Sequence, residues 1–140
     1  MFKNILVPID VSQSDSGEVG LKAAASLAGK SANLILLNVI GDVPNLVANQ
    51  LPANYANLAQ ASAREELEKL ASGHGLASGD YEVQTTHGQV YHEILSVAKN
   101  SGCDLIVVSS HQPGPADYLL GSTAEKVVRH AQCSVLVIRS

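Results

Sequence analysis

The chain has 140 residues, of which 46% are hydrophobic and 16% charged, an ordinary globular balance well away from that of a disordered chain, and it predicts one domain over residues 1–140. Its net charge of −4, with no Lys/Arg block, argues against a nucleic-acid surface. No apolar run approaches the roughly 20 residues of a membrane helix, and "MFKNILVPID" turns polar too early for a secretory signal, so the expected location is cytoplasmic, away from membranes.

Residues 4–8, "NILVP", form a short apolar run closed by a proline. Val19, Ala23 and Leu27 then recur at helical spacing, with Gly29 as a stop. Residues 33–40, "NLILLNVI", predict a second strand, and residues 41–54 form a long connection whose role the residues leave open. Ala59, Ala63, Leu67 and Leu70 predict a second helix ending near Gly73. Residues 81–86, "YEVQTT", alternate weakly as a third strand; Tyr91, Ile94, Leu95 and Ala98 predict a helix ending near Gly102. "DLIVVS", residues 104–109, and "SVLVI", residues 134–138, are the last two strands, flanking a helix that carries Ala124, Val127, Val128 and Ala131.

Continuous β-branched runs indicate strands covered on both faces, so this alternation predicts an α/β fold: an open five-stranded parallel sheet with helices on both faces. Such sheets bind ligands beyond the carboxyl ends of their central strands. Pro8-Ile9-Asp10, Val39-Ile40 and Ser109-Ser110-His111 arrive there. Asp10 suits a ribose or a cation, or else caps the first helix. Gly121-Ser122-Thr123 opens a helix whose free N–H groups suit phosphate; the alternative is a capping box of Ser122 with Glu125. "AGKS", residues 28–31, is not a P-loop, because Ala24 stands where the first glycine is needed, and no GxGxxG occurs. No catalytic triad, nucleophile–base pair or metal spacing is present among the histidines. Cys103 and Cys133 read as buried, reduced thiols. "SVLVI" has neither proline nor charge, so an exposed edge there would aggregate unless it pairs with a second chain; a twofold dimer through residues 134–139 is expected.

The motifs "ILVPIDVSQSD", "LILLNVI", "HGQVYHEIL" and, above all, "DLIVVSSHQPGPADYLLGSTAEKVVRHAQCSVLVIR" resemble the universal stress protein family along essentially the whole chain. The resemblance implies a Rossmann-like fold of the adenine nucleotide alpha hydrolase-like kind, usually as a homodimer, or a tetramer of such units. It further implies a cytoplasmic stress-response regulator that binds ATP (or AMP or ADP) with Mg²⁺, with at most slow hydrolysis, and that acts on a regulatory protein partner the sequence does not identify. The alternative is an A-type interaction dimer that binds no nucleotide. Nucleotide-binding members carry Gly-x-x-Gly, a nine-residue spacer and Gly-Ser or Gly-Thr. Here Ser109 and Gln112 replace the two glycines, and "PGPADYLL" is one residue short. That departure resembles the F/G-type branch. Carried over by position, Pro8 and Asp10 flank adenine and ribose, Val39 meets adenine through its main chain, and Val108 and Ser109 run along the ribose. His111, Gln112, Gly121, Ser122 and Thr123 surround the phosphates.

Overall fold

The computed structural model describes residues 1–41, 45–110 and 120–139, and the backbone alone for residues 13–16 and 45. The strands are β1 (Asn4–Pro8), β2 (Asn33–Ile40), β3 (Tyr81–His87), β4 (Leu105–Ser110) and β5 (Ser134–Arg139). The helices are α1 (Ser14–Ala28), α2 (Asn45–Ala48), α3 (Tyr55–Gly73), α4 (Val90–Asn100) and α5 (Ser122–His130). All strand pairs are parallel, in the order β3-β2-β1-β4-β5.

β1, β2, β4 and β5 send alternate side chains to two separate cores, which is why they read as apolar runs, whereas the edge strand β3 contributes Tyr81 and Val83 to the first core only. On one face Ile5, Val7, Leu34, Leu36, Leu105 and Val107 pack against Leu21 and Ala24 of α1 and Leu67 and Ala71 of α3. On the other, Leu6, Ile35, Leu37, Ile106 and Val108 meet Ile94, Val97 and Ala98 of α4 and Ala124 and Val127 of α5. A fully buried leucine in such a core contributes about 1.5–3 kcal/mol, so the two clusters fix the strand order and the helix seating together.

Several expectations change in detail. The buried face of α1 is centred on Leu21 and Ala24, with Ala23 partly buried against the same core, whereas Val19 and Leu27 are 37% and 41% exposed. The cause is Gly17 and Gly20, whose missing side chains let that stripe of α1 approach β1 and β4. A Cβ on Gly17 would stand 2.5 Å from Ile9 Cγ2, and one on Gly20 would stand 2.9 Å from Ser109 Oγ. In α3 the third buried position is Ala71, with Leu70 only partly covered. α3 does end at Gly73, as expected, and Gly75 at φ 76° completes the turn that follows. In α5 Val128 is exposed, and Ala131 lies just past the helix end. The 41–54 connection contains the single-turn α2.

At the amino edge of the sheet, Asp104 accepts hydrogen bonds from the Lys3 N–H (2.8 Å) and the Asn4 N–H (3.1 Å), tying β1 to β4. The Lys3 N–H is the main force holding this carboxyl below its ordinary range; partial desolvation opposes it, and the Asn4 N–H adds to the lowering. A depressed carboxyl stabilises the fold above its unfolded value of about 4, and that contribution disappears as pH falls through the lower folded value. Asp104→Asn is therefore expected to flatten the loss of stability on acidification, read as the urea midpoint between about pH 5 and pH 2. An acid limb identical to that of the parent protein would refute this.

Candidate functional site

The chain leaves β1 for β2 and β3 on one side and reaches β4 and β5 on the other, so the sheet has a switch point between β1 and β4. A cleft of about 630 Å³ opens there at the carboxyl edge. Its walls bring together eight of the sequence-predicted residues: Pro8, Asp10, Val39, Val108, Ser109, Gly121, Ser122 and Thr123. His111 and Gln112 lie outside the described residues.

The end of β1 supplies one wall. Pro8 cannot donate to the ladder and closes the strand. Ile9 is nevertheless held to β2 at both backbone groups: its N–H donates to Leu37 O (2.7 Å), and its carbonyl accepts from Asn38 Nδ2 (2.8 Å). Asn38 is 6% exposed and lines the cleft, yet motif reasoning does not single it out. Its clue is a polar residue inside "LILLNVI", but its partner lies 29 positions away. With Ile9 fixed, Asp10 starts a turn whose Oδ1 accepts from the Ser12 N–H (2.9 Å) and the Ser12 hydroxyl (2.6 Å). This shapes the single 3-10 turn at Val11–Gln13 that leads into α1. Among the described residues Oδ2 takes no hydrogen bond, and Asp10 is the only ionisable residue lining the cleft.

Ser109 and Ser110 diverge. The Ser109 hydroxyl lies beside Gly20 of α1, in space the glycine leaves open. Ser110, 6% exposed, turns its Oγ to accept the Gly121 N–H at 3.0 Å, joining the end of β4 to the start of α5. Sequence reasoning brought both serines to the end of β4 but assigned a role only to Ser109; the signal for Ser110 was the hydroxyl doublet ending an apolar run.

At α5 the structure overturns the capping box. Gly121, not Ser122, is the N-cap, extended at φ −62° and ψ 155°, with no side-chain cap. Glu125 therefore lies one position too far along to reach back, and its N–H simply bonds Gly121 O at 2.9 Å. The first-turn N–H groups of Ser122, Thr123 and Ala124 lie at the cleft with no capping side chain, at the positive end of the helix dipole. Val90, Ile94 and Ala124 give the cleft an apolar side.

The strand order and the cleft at its switch point put the protein among the Rossmann-like α/β folds. The sequence profile of the Universal stress protein family matches residues 1–139, and the chain belongs to that family. Universal stress protein G of Escherichia coli O157:H7 is 29% identical, over 99% of this chain and all of its relative. Among solved structures, hypothetical protein MJ0577 superposes with a TM-score of 0.79 at 26% identity, covering 100% of this chain and 97% of that one. A universal stress protein in complex with cAMP superposes with a TM-score of 0.67 at 25% identity, covering 98% and 96%. No helix among the described residues is long and apolar enough to cross a membrane.

Proposed function

We propose that the whole chain acts as one universal stress protein domain that binds ATP, or another adenine nucleotide, in this cleft and works as a nucleotide-dependent stress-response regulator in the cytoplasm. The observation that carries the reading is the uncapped start of α5 facing the Asp10 turn across the switch point. The first offers fixed N–H donors to an anion, and the second offers a carboxylate to ribose hydroxyls. In this reading Pro8 and Asp10 flank adenine and ribose, Val39 presents main-chain groups to the base, and Val108 and Ser109 run beside the sugar. Ser122 and Thr123, with His111 and Gln112, surround the phosphates. The Gly121 N–H is already taken by Ser110, so Gly121 serves by leaving room. The relative solved with cAMP supports an adenine nucleotide as the ligand class.

Mg²⁺ fits this donor set only as a companion of the phosphates. Among the described residues Asp10 is the single carboxylate lining the cleft, and no group of three His, Cys, Asp or Glu residues is arranged for a metal. Arriving with the nucleotide, Mg²⁺ would be held by the Asp10 carboxylate and the Ser122 and Thr123 hydroxyls and would supply positive charge against the phosphates. At most slow ATP hydrolysis goes with this reading, since Asp10, the one ionisable group among the described lining residues, is held in the Ser12 turn.

The test is to purify the protein, denature it, analyse the released nucleotide, and titrate the ligand-free protein with ATP. Retained adenine nucleotide, or saturable binding at millimolar concentration or below, is the expected result; neither one appearing overturns the reading. We further propose that β5, at the sheet edge, pairs with the β5 of a second copy. Light scattering on the same samples at micromolar concentration reads this directly, and a monomer mass refutes it.

A further inference from the structure

Cys103 and Cys133 stand together at the opposite, amino edge of the sheet. Leu105 of β4 pairs with Ser134 of β5, so the position facing Cys133 is Asp104 and Cys103 is one residue further along. Both cysteines precede their strands, so the register makes them neighbours at the sheet edge; a disulfide needs Cα atoms roughly 4.4–6.8 Å apart. The intervening Asp104 turns its carboxylate to the backbone of Lys3 and Asn4. Both thiols instead join the core beneath α4 and α5, and both line one cavity of about 330 Å³ with Ala98, Lys99, Ile106 and His130. Both are free and half-buried rather than sealed in the core, a correction to the expectation of buried thiols.

We propose that Cys103 and Cys133 form an exchange site for low-molecular-weight disulfides, at which the chain closes an intrachain Cys103–Cys133 bond. The Cys133 thiolate attacks one sulfur of the small disulfide, forming a mixed disulfide and expelling one thiolate, which takes up a proton. The Cys103 thiolate then attacks Cys133 Sγ, forming the protein disulfide and expelling the second small thiol. Two protein thiols are oxidised, one small disulfide is reduced to two thiols, and no other reactant is needed.

The surroundings set the pace. Burial pushes the Cys103 thiol up to about 11, with Cys133, Asp104 and Glu82 adding to the rise. Burial also raises Cys133, opposed by a backbone hydrogen bond of its own N–H and aided by Asp104. Lys99 and His130 face the same cavity. Exchange is therefore slow at neutral pH and accelerates about tenfold per pH unit on the alkaline side, where the thiolate fraction grows. The product ties β5, which the sheet holds from one side only, to the start of β4.

The experiment treats the folded, full-length protein with excess oxidised glutathione at about pH 9. It then blocks remaining thiols with N-ethylmaleimide in denaturant and reads the intact mass. The expected product is lighter by two hydrogens, carries neither maleimide nor glutathione, and yields on non-reducing digestion a joined peptide pair containing Cys103 and Cys133. Cys103→Ser, which removes the resolving thiol, is expected to stop at one glutathione on Cys133. Two maleimides on the parent protein, a persistent glutathione adduct on either sulfur, or a disulfide between two chains would each overturn the proposal.

Discussion

Valine in place of Gly121 is expected to weaken ATP binding by roughly ten- to a hundredfold while leaving the fold intact. The backbone there is extended, with φ −62° and ψ 155°, a conformation valine adopts readily. The first added carbon would sit 3.6 Å from Ser110 Oγ, an ordinary contact. The two further methyls occupy the approach to the N–H groups of Ser122 and Thr123, where a phosphate would have to sit. Losing one charge-assisted hydrogen bond of about 1.5–3 kcal/mol accounts for the stated range. Calorimetric titration of parent and variant measures it, with the urea midpoint as the control for folding. Equal affinity in a folded variant would remove the α5 start from the binding site and favour an interaction dimer that holds no nucleotide.

Alanine at position 17 is expected to cost stability, up to about 2 kcal/mol net. In an open helix the exchange of glycine for alanine gains up to about 1 kcal/mol. Here the new Cβ would lie 2.5 Å from Ile9 Cγ2, and overpacking of that kind costs about 1–3 kcal/mol. Ile9 has no easy retreat, because both of its backbone groups are bonded to β2. Either α1 lifts from the sheet or the Pro8–Asp10 segment shifts, so the variant should also bind nucleotide less well. Gly73→Ala, with nothing within 4 Å of the added carbon, is the matched control and should be neutral or slightly stabilising. Urea unfolding of the two variants decides the matter; equal midpoints would show that α1 accommodates the clash.

The strands were readable because parallel strands between two helical layers need apolar residues at nearly every position, and "NLILLNVI" or "DLIVVS" leave little choice. Helix spans followed from spacing and glycine stops. The face of α1 was misread for a definite reason: hydrophobic periodicity counts bulk, and this contact is made by two residues with none. The capping box was misread because Ser122 and Glu125 have the correct spacing, but the N-cap position depends on where the preceding backbone becomes helical. The predicted wall residues came from strand ends and helix starts, which sequence locates well. Asn38 and Ser110 escaped because their roles lie in hydrogen bonds to residues 29 and 11 positions away.

The placement of Ser109 against Gly20 makes these two positions one steric unit shared between a helix and a strand end. Where the family's nucleotide-binding pattern has glycine, this chain has a hydroxymethyl group, and the space it fills is provided in α1. Grafting the "SSHQ" segment onto a relative with a larger residue at the α1 position would wedge helix and sheet apart. Exchanging Ser109 alone for glycine would leave an unfilled hollow above Val7. Any hybrid between branches of the family therefore has to transfer both positions together.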